Sequence, residues 1–319
     1  MNRRNLLALP ALIAAPAAAQ APWVPDRPIR IIAPFAPGGA SDQISRILAE
    51  ELTPLLGQQV IVENRTGAGG AVGTEFVARS RPDGTTLVTA SQATHGVNPV
   101  VQRLNFDPFG DMTPIGNMAG VPAVFVVGPQ AQPRTFAEFL AFVRARPGRE
   151  NYASAGVGSS THMTFALMAH MAGLDIQHVP FRGTGLAVPE VIAGRLLSLA
   201  DTVNTSLPFI RDGRLRALAV STRARLSVLP DVPTVGEFLP GYEVLNWYGL
   251  HGPAGLAPNI VSTIHTAMMT LLNRPAFLAR LESLGMVPLP MTTAEYATYA
   301  ENDRRQWAEL VRATGMRVD

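Results

Sequence analysis

The stretch Ile29–Asp42, IRIIAPFAPGGASD, passes from strand to glycine turn to helix start within a few residues, and the rest of the chain is organised around this device. Ile29, Ile31 and Ile32 form a β-branched run suited to a buried strand. Pro34 and Pro37 fix φ and remove two ladder donors, so the strand must end there. Gly38 and Gly39 permit a tight turn and a close approach of a ligand to the backbone. Ser41 is the expected N-cap of the following helix, whose first turn offers unpaired N–H groups and the positive end of the helix dipole. An anion is the ligand that such a turn favours.

The same device recurs. Asn151–Ser154 reads as a strand, and AGVGSSTH at 155–162 then opens a helix that Ser159, Ser160 and Thr161 either cap or leave free to turn hydroxyls to a ligand. Asp175–Phe181 makes another strand before the turn Arg182–Gly185, and Leu196–Ala200 a further one that ends on Asp201 and Thr202. Strand ends of this kind line the crevice of an α/β sheet. The alternation predicts two mostly parallel sheets flanked by helices, the chain crossing near Val121 and returning near Trp247. Three closing helices, the last opened by a Thr292 and Glu295 capping box, are expected to pack on the first lobe alone.

The first 19 residues carry Arg3 and Arg4, an apolar run from Leu6 to Ala15 and the small residues Ala17–Ala19, the order of a secretory signal cleaved after Ala19. That apolar run is shorter than the ~20 residues a spanning helix needs. The net charge of +2 is that of Arg3 and Arg4, so the remaining chain is balanced before histidine and no nucleic-acid partner is expected. Every basic residue is arginine, and cysteine is absent. These absences exclude a thiol nucleophile, thiolate metal sites, disulfides, a pyridoxal Schiff base and the P-loop lysine. NRTGAGGAVG at 64–73 falls short of a dinucleotide fingerprint, since the third glycine is Gly73 and no acidic residue ends the next strand. His162 and His170 are eight apart with no carboxylate at metal spacing. No cofactor and no metal are expected. His95, in the loop QATHGVNP, is read as a pocket-wall residue beside the bland alternative of a hydrogen-bonded structural histidine.

Taken in order, APFAPGGASD at 33–42, VIVENRTGAGG at 60–70, NYASAGVGSSTH at 151–162, HVPFRGTG at 178–185, GRLRALAVST at 213–222, LPDVPTVGE at 229–237 and NWYGLHGPAG at 246–255 resemble one family. It is the Bug-type extracytoplasmic solute receptors of tripartite tricarboxylate transporters. The resemblance implies a two-lobed periplasmic-binding-protein fold of type II character, and the two crossings put the lobes at 20–121 plus 249–319 and at 122–248. It implies a small carboxylate held in the interlobe cleft by main-chain N–H groups, delivery to membrane transporter subunits, and a monomer. Carried onto this chain, the ligand residues are Phe35, Ala36, Pro37, Gly38, Gly39, Ala40 and Ser41 from one lobe. Ser154, Gly158, Ser159, Ser160, Thr161 and Asp201 come from the other, with His95 at the wall. Asp42, also shared with the family, is assigned to fixing the loop. LSLADT at 197–202 departs from the family's usual V-D-V-M-F-D-N. The alternative is a secreted α/β enzyme, a hydrolase or nucleotide-dependent oxidoreductase, whose only candidate groups are His95 and Asp201.

Overall fold

Two strands, Met112–Val127 and Leu245–Pro253, carry the architecture, because each is hydrogen-bonded where one half of the molecule gives way to the other. The structure is a computed structural model and describes residues 22–314; the leader read at residues 1–19 lies outside the described residues. The chain first builds β1 (Ile29–Ala33), α1 (Ala40–Leu56), β2 (Val60–Asn64), α2 (Ala71–Ala78), β3 (Thr86–Ser91) and α3 (Asn98–Val101). The long strand β4 (Met112–Val127) then leads to α4 (Phe136–Arg144), β5 (Asn151–Ser154), α5 (Ser160–Met171), β6 (Gln177–Pro180), α6 (Thr184–Ile192), β7 (Ser198–Thr202), α7 (Val203–Arg211) and β8 (Arg216–Val220). After a Pro-rich passage come β9 (Leu245–Pro253), α8 (Pro258–Leu272), α9 (Pro275–Ser283), β10 (Val287–Pro288) and α10 (Thr293–Thr314).

The strand order is β2-β1-β3-β9-β4-β7-β5-β6, with β8 and β10 also paired to β4. β1 lies parallel between β2 and β3, and β5 lies parallel between β6 and β7. The antiparallel members are β4 and β9. Residues 112–122 of β4 pair with β9, whereas Ala123–Val127 pair with β7 and β8. The change of partners falls at Pro122, which has no N–H to give to a ladder.

Alternation along β4 feeds two cores in the second half. Phe125 and Val127 enter an aromatic cluster with Phe136, Phe139 and Phe165, while Val124 and Val126 point the other way onto Val191, Leu199 and Leu207. In the first half Ile29 and Ile31 of β1 pack with Ile44, Leu48 and Leu52 of α1 and with Ile264 and Leu271 of α8. The spacing of Ile44, Leu48 and Leu52 is the helix repeat that the sequence shows, and Gly57 closes α1 in the left-handed region at φ 66°.

Three local expectations are revised. The N-cap of α1 falls two residues before the expected Ser41, at Gly39 and with no side-chain cap, so Ser41 lies inside the first turn. The stretch Gln92–Val97 is a π-helical turn capped by Ser91, where a loop is expected from the sequence. α10 does not pack on the first half alone: Tyr296 and Ala300 meet Trp247, but Trp307 and Val311 join the aromatic core of the second half. These four residues share one helical face, which is longer than the first core can cover.

Candidate functional site

Two helix starts from opposite halves of the sheet face each other across a small cavity of about 20 Å³. One is α1, whose residues Gly39, Ala40 and Ser41 line the cavity together with Phe35; the other is α5, which contributes Ser159, Ser160 and Thr161. In a helix the first N–H groups have no intrahelical acceptor. Here the N–H groups of Ala40 and Ser41 on one side and of Ser160 and Thr161 on the other occupy those positions. Both dipoles present their positive ends, and the cavity receives two sets of donors without a basic side chain in its wall.

The first loop is held from behind. Asp42 accepts from the Gly38 N–H at 3.0 Å, from Asn64 Nδ2 at 2.9 Å and from Arg46 Nε at 3.0 Å. Burial pushes its carboxyl pKa up, but the hydrogen bonds from Arg46, Gly38 and Asn64 outweigh that and leave it lowered. Asp42 therefore stays charged and fixes the turn. The N–H groups of Ala36 and Gly38 are already spent, on the Arg182 carbonyl at 3.1 Å and on Asp42, so these residues and Pro37 shape the loop and do not line the cavity. Ser41 is buried and its Oγ has no partner among the described residues. Released from capping, that hydroxyl faces the cavity.

On the other side Ser159 caps α5 by accepting from the His162 N–H, while its own hydroxyl donates to the Gly156 carbonyl at 2.6 Å. Thr161 Oγ1 accepts from Ala155 N–H at 2.9 Å. Ser154 lies just behind, its Oγ 2.6 Å from His178 Nε2, and His178 stacks on His162 with ring centroids 3.8 Å apart. Gly158 donates its N–H to His162 Nδ1 at 3.2 Å. Ser154 and Gly158 thus shape the loop from within and do not line the cavity.

Asp201, at the end of β7, is fully buried behind Thr202, and its Oδ2 accepts from Thr205 Oγ1 and from Ser206 Oγ at 2.7 Å. Burial raises its pKa, against the lowering by those hydroxyls. It backs the wall without lining the cavity. His95 is placed elsewhere: it is fully buried among Phe109, Trp247 and His251, with Nδ1 2.9 Å from Thr94 Oγ1, and burial pushes its pKa down to about 3.

The structure adds four wall residues outside the ligand set expected from the sequence, Ala155, Thr184, Thr202 and Tyr248. Thr184 opens α6 after Gly183, so it is a third use of the glycine-then-hydroxyl device. Tyr248 comes from β9, where every neighbour is buried and nothing in the local pattern distinguishes a wall position from a core one. Beside the cavity, sharing Phe35 and Ala155, opens a pocket of about 410 Å³ lined by Gly67–Gly70, Gly156, Phe181 and Arg182. Among the described residues no helix is long and apolar enough to cross a membrane.

Two α/β halves joined by paired strands, with an anion-favouring cavity where their loops meet, define a binding protein of the periplasmic type. Residues 44–316 match the family described as the tripartite tricarboxylate transporter family receptor, and the chain belongs to that family. Protein BugT of Bordetella pertussis is 32% identical over 329 residues, covering 100% of each chain. Among solved structures, MatC from Rhodopseudomonas palustris with bound malate superposes with a TM-score of 0.86 at 32% identity, covering 90% of this chain and 99% of that one. Rpa4515 of R. palustris with adipate gives 0.89 at 28% identity, covering 91% and 98%.

Proposed function

We propose that this protein is a periplasmic receptor that captures a small carboxylate between its two halves and passes it to membrane subunits of a tripartite tricarboxylate transporter. The observation that carries the reading is the pair of opposed helix starts, at Ala40–Ser41 and Ser160–Thr161, around one hydroxyl-lined cavity. The ligands named for the similar structures, malate and adipate, support a carboxylate as the ligand class. In this reading residues 20–121 and 249–319 form one lobe and residues 122–248 the other. The leader is cleaved after Ala19, the mature protein works as a monomer, and closure about the β4 and β9 crossings traps the ligand.

The protein acts by binding and not by turnover. Among the described residues Ser154 beside His178 is the hydroxyl–imidazole pair next to the cleft, but Ser154 is fully buried and its oxygen also accepts from the Gly156 N–H. Burial pushes the His178 pKa down to about 4, so it is a poor base near neutrality.

Calorimetry over a panel of mono-, di- and tricarboxylates, malate and adipate included, tests the reading. Gly39→Val directs a branched side chain at Thr184 Oγ1, which a Cβ there already meets at 3.4 Å. It should abolish binding. Ser160→Ala should cost about 1–3 kcal/mol if its hydroxyl meets a charged ligand group. Both variants should melt near the wild-type temperature without ligand. Undiminished binding by both would show that the cleft is not where the carboxylate sits.

A further inference from the structure

Several glycines of the turns at the strand ends serve a purpose other than ligand approach: they let the two halves touch each other. A Cβ on Gly69 would lie 2.3 Å from the Val157 carbonyl oxygen, across the cleft. One on Gly158 would lie 2.5 Å from Gln102 Nε2, and one on Gly185 would lie 2.4 Å from the Pro37 carbonyl oxygen. Gly69 and Gly158 also sit at φ +62° and +74°, where other residues are strained.

At each end of this seam a side-chain amide crosses from one half to the other. Gln102 Nε2 donates to the Val157 carbonyl at 3.1 Å and to Asn98 Oδ1 at 3.0 Å, and Asn98 Nδ2 donates to the Gly69 carbonyl at 3.0 Å. At the other end Asn204 Nδ2 donates to Gln43 Oε1 at 3.0 Å, and Gln43 Nε2 reaches the Gly38 carbonyl at 3.3 Å. Between them the Ala36 N–H donates to the Arg182 carbonyl at 3.1 Å. Every one of these bonds joins protein to protein, and neither Gln102 nor Asn204 lines the small cavity; Gln102 borders the neighbouring 410 Å³ pocket, where its Nε2 is already engaged by the Val157 carbonyl and Asn98 Oδ1.

We propose that Gln102 and Asn204 are closure latches: positioning residues that give the ligand-free protein a closed population and set affinity through that population, whatever carboxylate is bound. The thermodynamic reason is that the apparent dissociation constant equals the intrinsic one divided by the closed, binding-competent fraction. A residue that acts only on closure therefore rescales every ligand by one factor. A residue that touches ligand changes the ranking. The affinity part rests on the carboxylate reading of the cleft; the closure part does not.

The test uses the mature protein, with Gln102→Ala, Asn204→Ala and their combination. Small-angle scattering without ligand should give a larger radius of gyration for the double variant than for wild type. Gly69→Ala, which wedges the seam without removing an amide, should shift it in the same direction. With malate and adipate as probes, each single variant should weaken both by a common factor of about 2–12, the range expected for one neutral hydrogen bond. Coincident ligand-free scattering of wild type and double variant overturns the proposal whatever the affinities do, and so does a Gln102→Ala loss that differs between malate and adipate. A larger ligand-free radius in a protein that binds neither probe would uphold the latches and refute the carboxylate reading instead.

Discussion

Asp303 is the residue whose chemistry is most exposed to measurement. It sits on α10, with Oδ2 accepting from Trp247 Nε1 at 3.0 Å and Oδ1 from Gln92 Nε2 at 3.3 Å. Burial pushes its pKa up to about 6, against the lowering by these donors. The folded chain thus holds this proton to higher pH than the unfolded chain, whose carboxyl titrates near 3.8. The associated stability is complete below that value and is lost as the pH rises to about 6. Since Trp247 reports directly on the group, tryptophan emission should titrate with a midpoint near pH 6. Asp303→Asn should remove both that step and the fall in melting temperature between pH 4 and 7. An unchanged midpoint in the variant would assign the titration to another group. His95 shows why such sites escape a sequence reading: its surroundings are Trp247 and His251, far along the chain, and nothing near QATHGVNP signals them.

At the scale of elements, β4 is the piece most heavily used. Phe125 is fully buried, with ring centroids 5.7 Å from Phe136 and 5.5 Å from Phe165. Phe125→Ala should therefore cost about 3–5 kcal/mol in urea unfolding. A loss under 1 kcal/mol would mean the cluster refills the space. The strand–turn–helix units were legible because β-branched runs, proline stops, glycines and helix-period leucines are local signals, and α1 and α5 appear within a residue or two of where the sequence predicts them. The cap of α1 was missed by two residues because Gly39 caps without a side chain, which a search for Ser or Asp cannot find. The reach of α10 was missed for another reason. Trp307 and Val311 continue an apolar face, but which core receives it depends on where β4 and β9 deliver the second half.

For the whole molecule, the shared strands predict cooperative unfolding. β4 pairs with β7, β8, β9 and β10, so neither half can lose its sheet without unpairing a strand of the other. Calorimetry should show one transition, with calorimetric and van't Hoff enthalpies in agreement. Two resolved transitions would show that the halves fold independently. The glycine-rich loops illustrate what a sequence leaves ambiguous at this scale: a glycine that leaves room beside a cavity and one needed for approach of another loop look alike. Only the distances from an added Cβ separate Gly39, with 3.4 Å to Thr184 Oγ1, from Gly69, with 2.3 Å to the Val157 carbonyl oxygen.

The pairing of Pro122 on β4 with Leu245 on β9 has a mechanical meaning. A ribbon of two hydrogen-bonded antiparallel strands twists and flexes with little resistance, but sliding one strand along the other would break the ladder a rung at a time. The joint is therefore soft in rotation and stiff in shear. In the closure proposed above, such a joint would return the jaws to the same alignment each time, with Ser41 opposite Ser160 across the cavity, so that the tolerance of the site is machined into the axle before any cargo arrives.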